Sequence, residues 1–170
     1  MDLSVLRRKA GTMALLGFRR IPGPVKRTLV RAGTPSYTVG AVCLVEHDGE
    51  VLLLWQPHRL GWTLPGGLLG RGEEPGEAVR REVREEVGLD IEPGDPIAVG
   101  VHPSTQQIDV IYRVGVAQRP EVALATEARK ASWLRPADLT ETDHETRRIL
   151  ELVARADHEP APGRLVEEEA

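Results

Sequence analysis

The sequence predicts an α/β (α+β) domain in which helices pack against a mixed β-sheet. β-rich runs joined by a tight turn follow residue 37, and two amphipathic helical patterns lie between and after the remaining strands. The chain has 170 residues, of which 41% are hydrophobic and 28% are charged. This size and balance suit one globular domain with short appendages and exclude a fibre or a wholly disordered chain.

Residues 1–33 form a predicted basic, helical N-terminal arm. The arm holds eight Lys and Arg residues against one Asp, a net charge of +7, while the remainder of the chain carries −11. Apolar residues recur at helical spacing over 3–17, and Pro24 and Gly33 bracket a second short helix. Such an arm can bind nucleic acid or an anionic membrane surface. Solvated charges, or packing against the acidic body of the chain, are the simpler interpretation.

The predicted main domain spans residues 34–157. Residues 38–57 read as two strands joined at His47-Asp48-Gly49, because Asp-Gly between β-rich runs favours a hairpin. Pro75 and Gly88 bracket the next helix. Further strands are expected at 97–101, 107–117 and 128–134, and a helix over 143–156 closes the domain. Residues 158–170 are rich in proline, glycine and glutamate, which predicts an acidic disordered tail.

Cysteine content and hydropathy indicate the cellular compartment in which the protein is expected. Cys43 is the single cysteine, so a disulfide framework is excluded, and its apolar surroundings predict a buried strand thiol. No apolar run approaches the roughly 20 residues that span a bilayer, and no leader pattern opens the sequence. We therefore expect a cytoplasmic protein without a membrane span.

Glu82, Glu85 and Glu86 crowd one face in the last turns of the predicted helix. Like charges at i,i+4 and acids at a helix C-terminus each cost a few tenths of a kcal/mol or more. Stability alone would place lysine or arginine there. A divalent cation turns this repulsion into shared coordination, and a cluster of carboxylate oxygens suits Mg²⁺ or Mn²⁺ better than zinc.

A glycine-rich loop and nearby arginines indicate what the cation would act on. The loop glycines can approach a ligand closely, and arginine charge suits phosphate. The residues concerned are Gly66, Gly67, Gly70 and Gly72, with Arg59, Arg71 and Arg81. Together with the carboxylates they favour a phosphate chain bound as its Mg²⁺ complex.

The spacing of these residues resembles the Nudix box, G-x5-E-x7-R-E-U-x-E-E-x-G-U, where U is a bulky aliphatic residue. Every fixed position of the box is matched, by Gly67, Glu73, Arg81, Glu82, Val83, Glu85, Glu86, Gly88 and Leu89. The resemblance covers about residues 36–156 and includes the lead-in GWTLPGG at residues 61–67. The chain is therefore similar to the Nudix hydrolases.

This resemblance implies an α/β/α sandwich around a mixed sheet and hydrolysis of a nucleoside diphosphate linked to another group. Glu82, Glu85 and Glu86 then correspond to the metal ligands, with the Gly66 carbonyl as a further one. Glu73 and Arg81 correspond to the pair that orients the loop against the helix. The general base stays open between Glu82 or Glu86 and Glu127, which lies outside the box. Arg59, Arg71 and Gly67 are the expected substrate contacts.

The expected partner is a nucleotide or another small molecule linked to a nucleoside diphosphate, with a nucleoside triphosphate and ADP-ribose as the leading substrates. A nucleotide-sensing module is an alternative, but such modules commonly lose a metal-binding glutamate and this chain keeps all three. An RNA cap hydrolase is a second alternative. Nucleic acid is not expected, because the arm lacks interleaved aromatics apart from Phe18 and the body is acidic. A homodimer is left open.

Overall fold

The computed structural model describes residues 19, 21–124, 128–158 and 165–167, and the chain divides into two compact units, 1–36 and 37–170. In the first unit, helix α1 spans Gly23–Gly33 with a proline in its first turn and no buried residue. The helix expected nearer the start of the chain lies outside the described residues. The described helices include none with the length and hydropathy of a membrane span.

The second unit is built on one mixed β-sheet, in which the described residues form eight strands. The strands are β1 Thr38–His47, β2 Glu50–Trp55, β3 Trp62–Thr63, β4 Gly66–Leu68, β5 Ala98–His102, β6 Gln107–Gly115, β7 Lys130–Leu134 and β8 Leu165–Glu167. The main path runs β3-β2-β1-β6-β5-β8, with β4 paired to β1 and β7 paired to β2. The β1–β6 and β5–β8 pairs are parallel, and the other pairs are antiparallel.

The β1–β2 turn has the geometry that its sequence requires. Asp48 and Gly49 both have positive φ, 49° and 77°, between the paired residues His47 and Glu50. Positive φ at both central residues defines the two-residue turn whose twist matches a hairpin. The hairpin prediction is therefore confirmed.

Strand β1 is buried on both faces of the sheet. Ala41, Cys43 and Val45 pack into one core, while Val42 and Leu44 pack into the other. Side chains alternate across a strand, so a continuous apolar run fits a strand that is covered on both sides. The sheet thus lies between two helical layers, and Cys43 is buried as predicted.

Helix α2, Pro75–Val87, covers the first face with Ala78, Val79, Val83 and Val87. Glu74 precedes it, and a capping box joins the Glu74 and Glu77 side chains to backbone N–H groups. Gly88 ends the helix in the left-handed conformation at φ 71°. The predicted helix boundaries are confirmed, and of the three glutamates on α2 only Glu85 is exposed, while Glu82 and Glu86 are half-buried.

Helix α3, His144–His158, covers the second face with Ile149, Leu152 and Val153. Asp143 caps its start, because its Oδ1 accepts a hydrogen bond of 2.7 Å from the backbone N–H of Thr146. The two helices on opposite faces complete an α/β/α sandwich.

Three short strands differ from the sequence expectations. The sequence predicts a glycine-rich loop from Gly66 onward, but β4 pairs there with β1, and within the preceding lead-in β3 pairs with β2. Strands of two or three residues, flanked by glycine and proline, carry too little periodicity to be recognised. Within the predicted disordered tail, Leu165–Glu167 pairs with β5 as β8. The other tail residues beyond His158 lie outside the described part of the chain.

Candidate active site

Arg81 ties the loop before α2 to the helix. Its Nε and Nη2 donate to Glu73 Oε1 and Oε2 at 2.8 and 3.0 Å. The backbone N–H of Gly70 donates to the same carboxylate at 2.6 Å. These hydrogen bonds, first from Arg81 and then from Gly70, lower the pKa of Glu73 to about 2. The two residues of the expected orienting pair are therefore in direct contact.

Glu82 lies against the backbone of β4. A Cβ atom at Gly67 would lie 2.5 Å from Glu82 Oε1 and 2.6 Å from its Cδ. Arg81 Nη1 donates to the same oxygen at 2.6 Å. Glycine at position 67 therefore leaves room for the Glu82 carboxylate beside the strand.

Glu86 is held at both carboxylate oxygens. Its Oε2 accepts from the Gly66 backbone N–H at 2.9 Å, and its Oε1 accepts from Gln56 Nε2 at 2.7 Å. Burial raises the pKa of Glu86 to about 7, the neighbouring Glu82 charge adds to the rise, and the two hydrogen bonds oppose it. A buried carboxylate beside a second carboxylate is stabilised when it binds either a proton or a cation.

Glu85 occupies the outer end of this carboxylate face. Its side chain is 61% exposed, and Arg81 Nη1 approaches it at 3.3 Å. Across the described residues, no three acidic, histidine or cysteine side chains converge as a ready-made metal cluster. Arg81 Nη1 contacts Glu82 and Glu85 together. The donor set nevertheless consists of oxygens and fits Mg²⁺ or Mn²⁺, which would compete with Arg81 for these carboxylates.

A cleft of about 430 Å³, including its open mouth, lies on the α3 side of the sheet. Val42, Leu64 and Ile149 form its apolar lining, while Arg59, Gln107 and Glu145 are among its polar groups. This mixture of apolar and polar lining groups is typical of a small-molecule site.

Gly66 and Gly67 separate the cleft from the carboxylates. Both glycines line the cleft. The N–H of Gly66 also bonds Glu86, and Gly67 abuts Glu82. The two glycines therefore border both the cleft and the carboxylate face of α2.

Glu145 organises the polar wall of the cleft. Its Oε2 accepts from Arg59 Nη1 at 2.8 Å, and its Oε1 accepts from Gln107 Nε2 at 2.6 Å. Arg59 Nη1 also reaches Asp143 Oδ2 at 3.2 Å. Behind this wall, Asp109 is fully buried and accepts from Gln107 Nε2 at 2.7 Å. Several charged groups are thus fixed by one another at the cleft.

The remaining expected site residues fall in different places. Arg59 lines the cleft, as does Gly67. Arg71 is exposed in the turn before α2 and forms no hydrogen bond or ion pair with the described part of the chain. Glu127 lies outside the described residues. Whether any of them touches substrate stays a prediction.

Four residues of the site were missed by the sequence analysis, namely Gln56, Gln107, Asp109 and Glu145. Gln107 and Asp109 are two residues apart on β6, so a polar alternation within an apolar strand was available as a signal. Gln56 directly follows the apolar run of β2, so an amide at the end of a buried strand was available as a signal; in the structure it is 5% exposed. Glu145 resembles any acid in the first turn of a helix, so its sequence context carries no comparable signal.

Comparison with known proteins assigns the family. The NUDIX domain profile matches residues 34–153. The chain belongs to the Nudix hydrolase family. A nucleoside triphosphatase, NudI, of Escherichia coli is 33% identical over 120 residues, which cover 60% of this chain and 85% of that protein. A MutT-like protein of Streptomyces ambofaciens is 31% identical over 100 residues, and the match covers 58% of this chain and 63% of that relative.

The Nudix fold is also shared with solved structures. The MutT protein of Methanosarcina mazei has a TM-score of 0.61 and 28% identity, covering 73% of this chain and 95% of that one. The predicted α/β/α sandwich around a mixed sheet is therefore confirmed.

Proposed function

We propose that this Nudix protein is a divalent-cation-dependent pyrophosphohydrolase of a nucleoside triphosphate. Water attacks the α or the β phosphorus of the triphosphate, and the bond from that phosphorus to the oxygen that bridges the two breaks. One water molecule is consumed, and the products are a nucleoside monophosphate and pyrophosphate.

The position of Gly66 and Gly67 carries this proposal. These glycines line the cleft on one side and contact Glu86 and Glu82 on the other. The space that a Cβ atom would need is filled by the β1 backbone at Gly66 and by Glu82 at Gly67, so the β4 backbone itself is the boundary that the cleft and the helix share. The nucleoside therefore occupies the cleft, and the phosphate chain extends over β4 towards α2.

The charges of the two regions support the same orientation. In the cleft, the Arg59 charge is offset by Asp143 and Glu145, so this wall offers little net attraction for phosphate. At α2, Mg²⁺ or Mn²⁺ held by Glu82, Glu85, Glu86 and the Gly66 carbonyl would neutralise phosphate charge. Glu73 and Arg81 fix the loop against the helix that carries these ligands.

The general base is Glu82, Glu86 or Glu127. Glu86 has the strongest support from its surroundings, because Gln56 and Gly66 hold its carboxylate beside Glu82. Its two hydrogen bonds also fix the carboxylate in one orientation. Single Gln substitutions at the three positions test the assignment through the pH dependence of kcat.

A nucleoside triphosphate is favoured over ADP-ribose by the nucleoside triphosphatase relative, of which the match covers 85%. The decisive experiment is a Mg²⁺-dependent hydrolysis screen over nucleoside triphosphates, ADP-ribose, dinucleoside polyphosphates, NADH and capped RNA. Product identification distinguishes pyrophosphate release from two monophosphates. We expect monophosphate and pyrophosphate, and no turnover in excess EDTA.

Three outcomes of this screen oppose the proposal. Full turnover in EDTA refutes the cation requirement, and nucleotide binding without turnover favours a sensing module. Release of nucleotide from capped RNA but not from free nucleotides favours the cap hydrolase.

A further inference from the structure

The polar wall of the cleft contains a donor and an acceptor that are held by one carboxylate. The two oxygens of Glu145 bond Arg59 Nη1 at 2.8 Å and Gln107 Nε2 at 2.6 Å. Because the oxygens of one carboxylate are close together, the two head groups are close together too. Arg59 and Gln107 both line the cleft.

The amide orientation of Gln107 is set by its partners. Nε2 donates to Asp109 Oδ1 at 2.7 Å as well as to Glu145. A flipped amide would turn its carbonyl oxygen towards two carboxylates, which offer no hydrogen atom. Gln107 Oε1 therefore keeps its acceptor capacity, and within the described part of the chain no donor bonds it.

Arg59 has N–H donors that are not used by its two carboxylate partners. Its Nη1 is engaged by Asp143 and Glu145, while Nε and Nη2 bond no side chain in the described ranges. Two carboxylates offset the guanidinium charge, so its remaining N–H groups act as directional donors to a neutral acceptor. These contacts favour a base over a phosphate as the group that Arg59 binds.

The wall is supported from the interior. Asp109, which is fully buried, also accepts from Arg148 Nη2 at 3.2 Å. A Cβ atom at Gly40 would lie 3.2 Å from Asp109 Oδ1, so the glycine leaves room for this carboxylate. Buried charged groups with several partners are costly to displace, which makes the wall rigid.

We infer that Gln107 Oε1 and the free N–H groups of Arg59 recognise the hydrogen-bonding edge of a nucleobase. Glu145 and Asp109 act as positioning residues for this pair. The ligand class is a nucleotide whose base carries an N–H donor beside an acceptor. This inference rests on the proposed function, since it assigns the nucleoside to the cleft.

The test compares each natural base with an analogue that lacks an N–H donor. Purine riboside triphosphate serves for purines, and pyrimidin-2-one riboside triphosphate serves for pyrimidines. With the wild-type protein and Mg²⁺, kcat/KM should be at least about tenfold lower for the analogue, because it leaves Gln107 Oε1 unpaired. Gln107→Met should reduce this ratio to within about threefold, through KM and not kcat.

Glu145→Gln tests the positioning role of Glu145 and leaves Arg59 and Gln107, which are proposed to bond the base, unchanged. Its amide can no longer accept from both Arg59 and Gln107. We therefore expect the ratio of kcat/KM for the natural base to kcat/KM for its analogue to fall, as in Gln107→Met. Glu151→Gln is the matched control, since Glu151 is an exposed acid on the same helix. It should keep the wild-type ratio.

The outcomes separate this inference from the proposed function. If no nucleotide is hydrolysed, the proposed function fails. Equal wild-type rates for a natural base and its analogue overturn the inference while the proposed function stands. An unchanged ratio in folded Gln107→Met, or in Glu145→Gln should the first variant not fold, also overturns it. Monophosphate binding, measured by calorimetry without cation, should weaken in the same variants.

Discussion

At Glu86, folding and chemistry place opposite demands on one side chain. Gln56 and Gly66 anchor both of its oxygens, yet burial and the nearby Glu82 oppose its negative charge. A structure selected for stability alone would hold a neutral group there. The proposed cation site accounts for the carboxylate, because its charge would be offered to a cation beside the phosphate chain.

Glu86→Gln should separate these two demands. The folded-state pKa of about 7 lies above the ordinary value of 4.5, so the folded protein binds this proton more tightly than the unfolded chain. The carboxylate is therefore without cost below pH 4.5, and its destabilising effect grows as the pH rises through 7. In EDTA, the variant should gain in melting temperature over wild type more at pH 8 than at pH 5.

The same variant should lose at least about a hundredfold in turnover with Mg²⁺ and substrate, because a ligand or base is removed. A flipped Gln56 amide can still pair with the new glutamine, which preserves the local hydrogen bonds. Glu77→Gln is the control on α2, since glutamine also satisfies a capping box. The assignment of Glu86 to the cation site is contradicted if Glu77→Gln is equally inactive. It is also contradicted if Glu86→Gln unfolds but its folded fraction keeps full specific activity.

Gly67→Ala tests the contact between β4 and Glu82. The new Cβ would lie 2.5 Å from Glu82 Oε1, but that atom ends a flexible side chain and can move. We expect little change in melting temperature and a raised Mg²⁺ requirement, with turnover at least about tenfold lower at limiting Mg²⁺. A Mg²⁺ titration of initial rates measures this. An unchanged titration curve would show that the Glu82 position is unimportant.

At the scale of elements, Asp143 at the start of α3 both caps the helix and bonds an arginine that lines the cleft. Asp143 Oδ1 accepts from Thr146 N–H, while its Oδ2 accepts from Arg59. One side chain thus fixes both the helix end and an arginine of the site. Helix α2 has a similar arrangement, in which Glu73 joins the preceding loop to Arg81 on the helix.

Asp143→Ala should lower the free energy of unfolding by about 1 kcal/mol, because an N-cap hydrogen bond is lost. Asp143→Asn should restore most of this, since its amide oxygen can still accept from Thr146. Urea denaturation monitored by circular dichroism measures both variants. Equal losses in the two variants would mean that the Arg59 ion pair, and not the cap, carries the effect.

Local chemistry explains which elements could be predicted from the sequence. Asp48-Gly49, Pro75 and Gly88 each impose a backbone conformation, so the hairpin and the ends of α2 followed from single residues. Strand β3 has two residues, too few for a periodic pattern, and β4 depends on pairing with β1, which is distant in sequence. The carboxylate face was readable because its residues share one helix. The cleft was not, since Arg59, Gln107 and Glu145 meet only through the tertiary fold.

At the scale of the whole molecule, charge and structure divide the chain at nearly the same point. The segment 1–33 carries +7, the Nudix profile begins at residue 34, and the second compact unit begins at residue 37. In helix α1, Val25, Leu29 and Val30 are each about half exposed. The two described cores draw their buried residues from position 41 onward.

Deleting residues 1–33 should therefore leave folding and catalysis in place. Every residue assigned to the carboxylate face or the cleft lies beyond the deletion, and β1 begins at Thr38. We expect kcat/KM within about threefold of the full chain and an unchanged pH dependence, since no titrating group of the site is removed. Initial rates with the preferred nucleotide, together with a thermal melt, measure this. Loss of both the cooperative melt and turnover would mean that the arm is part of the core or of a contact between copies, and would move the domain boundary towards the N-terminus.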